Sequence, residues 1–134
     1  MEDYSHIVGD CRIDKLSLDF NSNTITFVMT RYREELEIIE VKFDGVINQD
    51  FKIIDKDNIV FGIEETDWNG LKSEFPDLMK WYKHYKSIAP EEKGMISDGT
   101  AKCFHIRGTA GLEGYIIAET IKIEKINSAN KAQP

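Results

Sequence analysis

The stretch LSLDFNSNTITFVM, from Leu16 to Met29, decides the fold class. Apolar residues occupy every second position on both sides of the polar triplet Asn21–Asn23. Such alternation is typical of half-buried strands, and a polar triplet between two of them is typical of a tight turn. We therefore predict a β-hairpin here, with one face of both strands in the core.

The same period continues towards the middle of the chain. Leu36–Phe43 is apolar, but its alternation changes parity at Ile38, which predicts a β-bulge there or a strand buried on both faces. Phe51–Ile53 and Ile59–Ile63 flank the polar turn Asp55–Asn58. This arrangement predicts a second hairpin.

The pattern becomes helical after Asp67. Apolar and aromatic residues recur at Leu78, Tyr82 and Tyr85, while lysines fill the other positions. The spacing predicts an amphipathic helix over 76–86, opened by a proline in its first turn. Strand-like residues return near the end of the chain, where Tyr115–Ala118 has the composition of a strand buried on both faces.

Together these elements predict one α+β domain over residues 1–134, with a polar tail from about residue 127. Consecutive hairpins favour a mostly antiparallel sheet of about six or seven strands with one main amphipathic helix packed on it. The predicted bulge and the glycines near the last strand favour a curled sheet.

Composition limits where the protein works. No apolar run approaches the roughly 20 residues that cross a bilayer, and the acidic start of the chain does not resemble a signal peptide. We expect a cytoplasmic protein with no membrane partner. Cys11 and Cys103 have neither a redox nor a zinc spacing, so we expect two free thiols.

The charge is divided unevenly along the chain. Residues 1–67 contain sixteen acids and seven bases, a net charge of −9, whereas residues 68–134 have a net charge of +2. An acidic field attracts basic partners and repels nucleic acid. The charge therefore favours a basic protein partner and disfavours a nucleic acid, although solubility alone also requires net charge.

Candidate catalytic and ligand motifs are incomplete. Cys103 and His105 share a strand face, but a separation of two residues along a strand, roughly 6–7 Å, is too long for proton transfer. The glycines at 108, 111 and 114 lack the lysine of a phosphate loop, and Asp55–Asn58 lacks the later residues of a calcium loop. We assign no catalytic residue, metal or cofactor and expect a protein that is not an enzyme.

Two groups of segments resemble a family of small, largely uncharacterised bacterial proteins. They are Phe43–Val46 with Asp57–Glu65, and Phe104–Ile106 with Gly111–Ala118 and Ile121–Ile123. These are strand and turn signatures within a similarity that extends from about Leu16 to Ile126 and carries no active site with it. By analogy, the resemblance implies an immunity or accessory protein encoded beside a toxin.

The leading functional hypothesis is a small, acidic protein-binding domain, of the immunity type, that blocks a basic partner. An aromatic anchor ringed by acids would combine affinity with fast association. The predicted contacts are Glu34, Glu35, Glu37, Glu64, Glu65, Asp67 and Trp68.

Two alternatives remain open. The first is a small-ligand-binding or weakly enzymatic domain, with a pocket between sheet and helix lined by Tyr82, Tyr85, His105 and Arg107. The second is a homodimeric structural protein that pairs through an apolar edge strand.

Overall fold

A computed structural model describes residues 1–84 and 88–126 of the chain. The predicted polar tail and Tyr85 lie outside these described residues. Within them the elements are α1 (Ser5–Val8), β1 (Cys11–Asp19), β2 (Thr24–Tyr32), β3 (Leu36–Asp44), β4 (Asn48–Lys52), β5 (Ile59–Thr66), α2 (Trp68–Glu74), α3 (Leu78–His84), β6 (Lys102–Ala110), β7 (Glu113–Ala118) and β8 (Thr120–Ile126).

The described strands form one eight-stranded sheet in the order β4-β7-β6-β5-β1-β2-β3-β8. Every neighbouring pair is antiparallel, so the predicted sheet class is confirmed, although the predicted strand number was too low. The predicted first hairpin is β1–β2, with Leu18 opposite Ile25. Asn23 has a φ of 55° in its turn, a conformation that asparagine tolerates better than most residues.

The connection between β7 and β8 requires the sheet to curl. Only Glu119 separates these strands, yet they lie six steps apart in the strand order. A flat sheet would hold them about 29 Å apart, whereas so short a link spans only about 7 Å. The ring of Phe43 on β3 accordingly meets that of Phe104 on β6 across the core, with centroids 5.2 Å apart. The sheet stays open, since no ladder joins β8 to β4 or β7 within the described residues.

The second predicted hairpin is wrong. β4 pairs with β7, where Asp50 lies opposite Tyr115, and β5 pairs with β6 and β1. The amide side chain of Asn58 donates to the carbonyl of Asp55 and accepts from the backbone N–H groups of Asp55 and Leu112, at 2.8, 3.0 and 2.9 Å. The turn is therefore stabilised against the β6–β7 hairpin and not by pairing between its own two strands.

The predicted bulge near Ile38 is also wrong. β3 keeps one continuous register with β2, and Glu37 occupies the inward position that the apolar alternation omits. Ile38 is only half-buried and Leu36 is exposed, so the alternative of burial on both faces does not apply either. The register shifts of the sheet lie in β1, after Ile13, and in β5, between residues 59 and 62.

α3 lies within the helix predicted over 76–86, whose last residues are outside the described ones, and α2 is a second seven-residue helix before it, so the prediction of one main helix is wrong. α2 begins where the Asp67 side chain accepts a hydrogen bond of 2.6 Å from the backbone of Gly70, which satisfies a donor that the first turn leaves unpaired. Pro76 then separates the two helices, because it has no N–H with which to continue the first one.

The sheet has a core on each side at β6 and β7. Phe104, Ile106 and Ile116 face the interior of the curl. Tyr115 and Ile117 point the other way and pack beneath α2 and α3. The prediction that Tyr115–Ala118 is buried on both faces is therefore confirmed. This part of the sheet supports the cluster of acidic residues that the next subsection describes.

Candidate protein-binding surface

The predicted contact residues lie at one end of the sheet, in two places. Glu34 and Glu35 are exposed in the connection between β2 and β3. Glu64, Glu65 and Asp67 lie where β5 leads into α2. β1 is antiparallel to both β2 and β5. The C-terminal ends of β2 and β5 therefore both lie at the end of the sheet where β1 begins.

Glu37 does not belong to an exposed surface. Its carboxylate accepts a hydrogen bond of 2.8 Å from Arg31 Nε and lies 2.5 Å from Lys125 Nζ. Arg31 in turn donates to the carbonyl of Gly9 at 2.8 Å. Glu37 therefore joins β2, β3 and β8, and the hydrogen bonds from Lys125 and Arg31 lower its carboxyl pKa from the usual 4.5 to about 2.

This shift predicts a loss of stability in acid that depends on Glu37. Because the folded pKa is depressed, the stabilisation is fully present above about pH 4.5 and is lost as pH falls towards 2. We expect Glu37→Gln to lower the denaturation midpoint at pH 7 and to reduce its further fall between pH 5 and pH 2.5. Urea titrations at pH 7, 5 and 2.5 measure the denaturation midpoints. Glu34→Gln, which removes an exposed carboxylate, is the control. Identical pH dependence in wild type and Glu37→Gln would contradict the assignment.

The N-terminal segment adds acids that sequence reasoning did not connect with this surface. The backbone N–H of Tyr4 donates to Ile63 and that of Glu65 donates to Glu2, both at 2.8 Å, and Asp3 forms a bridge with Glu64. Sixty residues separate the two segments, and no local pattern marks their pairing. We name the resulting cluster, Glu2, Asp3, Glu64, Glu65 and Asp67, the acidic face.

Three of these carboxylates already have structural partners. Glu64 accepts a hydrogen bond of 2.8 Å from Arg107 Nε, and Asp67 caps α2. Asp3 accepts from the Ser5 backbone and hydroxyl at 2.9 and 2.5 Å, bonds that lower the pKa of Asp3. Among the described residues, the side chains of Glu2 and Glu65 have no hydrogen-bonded or ion-paired partner, and the partners of Asp3 and Asp67 are neutral, so these four carboxylates carry the uncompensated charge of the face.

Trp68 is not an exposed anchor. Its side chain is 7% exposed and belongs to the core beneath α2, with the ammonium of Lys72 5.7 Å from the ring centre. Phe61 fits that role better, because it is 60% exposed and lies three residues before Glu64 on β5. That spacing along a strand is about 10 Å.

The described residues of the predicted ligand pocket each contact another side chain. His105 is buried with its ring centre 5.1 Å from that of Phe75, and burial lowers its pKa, which favours the neutral imidazole. Tyr82 is buried and its hydroxyl accepts a hydrogen bond of 3.2 Å from Asn48. Arg107 is bound to Glu64, and Tyr85 is outside the described residues. His105 and Tyr82 therefore lie in packed structure, and Arg107 is held in an ion pair, so these three do not line a cavity.

A cleft of about 210 Å³ lies elsewhere, at the turn between β1 and β2. Leu18, Phe20 and Ile47 are among the residues that line it. Its volume is below the roughly 300 Å³ at which small-molecule sites begin, whereas a depression of about 380 Å³ beside Arg12, Arg31 and Arg33 is above that size.

Cys103 and His105 do share a face, as predicted, but burial of Cys103 disfavours the thiolate that a nucleophile needs. Burial, reinforced by Glu91, raises the pKa of Cys103 to about 12, and burial also raises that of Cys11. Both are free thiols. Within residues 1–84 and 88–126, no three His, Cys, Asp or Glu side chains are grouped so that they could hold a metal ion.

Comparison with known proteins supports the fold alone. No family model matches the chain, and no curated protein does. The chain is similar in structure to an uncharacterised protein from Neisseria gonorrhoeae, with a TM-score of 0.52 and 15% sequence identity, over 93% of this chain and 97% of that one. In the described part of the chain, no helix has the length and apolar character needed to span a membrane. The chain thus shares its α+β architecture with a small bacterial protein.

Proposed function

We propose that the chain is a non-enzymatic binding domain whose acidic face engages a basic surface on another protein. The observation that carries the proposal is the pairing of the N-terminal segment with β5, which places Glu2 and Asp3 beside Glu64 and Glu65. Within residues 1–84 and 88–126, the one Lys or Arg ion-paired with this group is Arg107, which binds Glu64.

Such a face suits rapid recognition of a basic protein. Clustered like charges raise the rate of encounter with a surface of opposite sign, and they do so most at low salt. Phe61 supplies an exposed aromatic side chain on the same strand, the residue class that anchors interfaces. The side chains that hold the face in place, Asp3, Asp67 and Arg107, bond within the chain and need not move on binding.

Within this class, we propose an immunity-type inhibitor of a toxin. The support is the resemblance of the strand and turn segments to small bacterial proteins, together with the size and acidity of the chain. An inhibitor of this kind needs a complementary surface and no chemistry of its own.

Capture of partners from a host lysate, followed by binding kinetics, tests the proposal. We expect tagged protein to retain one basic protein in stoichiometric amount and to release it at high salt. With that partner purified, Glu2→Gln/Glu65→Gln should lower the association rate by about threefold to tenfold and flatten its salt dependence.

The matched control is Glu34→Gln/Glu35→Gln, which removes the same charge from the connection between β2 and β3. All four side chains lack hydrogen-bonded partners in the described structure, so neither variant should lose stability. A slower association in the control and an unchanged rate in Glu2→Gln/Glu65→Gln would move the interface away from the acidic face. Failure to retain any basic protein would argue against the function itself.

A further inference from the structure

β8 forms one edge of the sheet and is built as a pairing strand. Among the described residues it pairs only with β3, in an unbroken register from Ile38 opposite Ile126 to Asp44 opposite Thr120. Its sequence, TIKIEKI, contains no proline or glycine, and no bulge interrupts it. Proteins commonly block edge strands with proline, bulges or charged side chains, because an open edge offers unpaired N–H and C=O groups to another strand; of these features β8 has only the charges, at Lys122, Glu124 and Lys125.

The outer face of this edge carries like charges opposite one another. Glu124 lies directly opposite Glu40, and Lys122 lies directly opposite Lys42. Such pairs destabilise a sheet. Along β8, the ammonium of Lys122 lies 2.8 Å from the carboxylate of Glu124, and both side chains are more than half exposed. On the side of β8 that faces away from β3, Lys122 and Glu124 therefore have no neighbour of opposite sign on an adjacent described strand.

A second copy of β8 supplies that neighbour in one register. In an antiparallel pair with its two-fold axis at Ile123, each Lys122 lies opposite Glu124 of the second copy. The row across the joined sheets then reads Glu40, Glu124, Lys122 and Lys42, with the last two from the second copy. Moving the axis by one residue places Lys122 opposite Lys122, or Glu124 opposite Glu124, which like-charge repulsion disfavours.

We propose that β8 pairs with β8 of a second copy, antiparallel and centred on Ile123, so that two sheets become continuous. The occupant is a second copy because this edge is charge-complementary to itself in that register. Seven residues of strand measure about 23 Å, and an interface of that size is small, so the association should be weak. This inference does not depend on the proposed function, since β5 and its acidic face lie four steps from β8 in the strand order.

Sedimentation equilibrium of the full chain and three variants tests the register. The wild type should shift from one chain towards two between roughly 1 µM and 1 mM. Lys122→Glu and Glu124→Lys should each remain monomeric. Each substitution places like charges opposite one another in both of the pairs that residues 122 and 124 form between the two copies. The double variant Lys122→Glu/Glu124→Lys restores opposite charges and should dimerise like the wild type.

Loss of fold stability in the variants cannot explain this pattern of oligomeric states. Lys122→Glu sets a glutamate opposite Lys42, and Glu124→Lys sets a lysine opposite Glu40, so each removes a like-charge pair within the chain, which offsets the loss of the exposed Lys122–Glu124 ion pair. We expect their thermal midpoints to be no lower than that of the wild type.

A mixture gives the sharpest outcome. Equal amounts of the two single variants should form a mixed dimer, because both pairs between residues 122 and 124 of the two copies are then of opposite sign. A wild type that is monomeric at about 1 mM, single variants that dimerise as the wild type does, or a mixture that stays monomeric would each overturn the proposal.

Discussion

Trp68→Ala should destabilise the fold by about 3–5 kcal/mol, the range expected for truncating a buried tryptophan or phenylalanine. Trp68 opens α2 and is 7% exposed in the core that joins both helices to β6 and β7. Its loss leaves a cavity that a seven-residue helix cannot fill by local collapse. Chemical denaturation at pH 7 measures the change in the free energy of unfolding.

The comparison with Phe20→Ala makes this result specific. Phe20 is also aromatic but 84% exposed at the turn between β1 and β2, so its removal should change stability by no more than about 0.5 kcal/mol. If Trp68→Ala proved as neutral as Phe20→Ala, Trp68 would return as an exposed anchor and the interface would have to be redrawn around it.

Gly114→Ala should destabilise by about 2–3 kcal/mol through overpacking. A Cβ at this position would lie 2.0 Å from the carbonyl oxygen of Asp50 and 2.9 Å from the Cα of Phe51. Both are backbone atoms of β4, so the strand itself must move away from β7. Because Phe51 packs against Phe27 at 5.9 Å, that movement also disturbs the core inside the curl.

Gly94→Ala is the control for the glycine substitution. Gly94 has a φ of 74°, but a Cβ there meets only the Ser97 hydroxyl at 4.0 Å. Its cost should be limited to backbone strain of about 1 kcal/mol. Equal destabilisation by the two variants would mean that close approach to β4 is not what requires Gly114.

The positions of most strands could be predicted because alternation is a local signal. The hairpin of Leu16 to Met29 follows from side chains that point alternately to the core and to solvent. The partner of an isolated strand has no such signal, which is why Phe51–Ile53 was paired with the wrong neighbour. The β3 interpretation failed for a related reason, since a carboxylate can take an inward position once Arg31 and Lys125 reach it.

The candidate surface was only partly predictable. The acids at 64, 65 and 67 are close together in sequence, and their shared charge followed from composition. Their union with Glu2 and Asp3 depends on backbone hydrogen bonds across sixty residues. Burial was the weakest inference, because an aromatic residue such as Trp68 favours a core and an interface equally.

By itself, the sequence determined the antiparallel strand-rich class, the main hairpin and the uneven charge, since each depends on neighbours within a few residues. Only the tertiary structure decided the strand order, which of the described aromatic side chains are buried, and the assembly of the acidic face. The single residue between β7 and β8 shows the physical reason. So short a link between strands six steps apart imposes the curl, and the curl decides which side chains are buried and which charges meet.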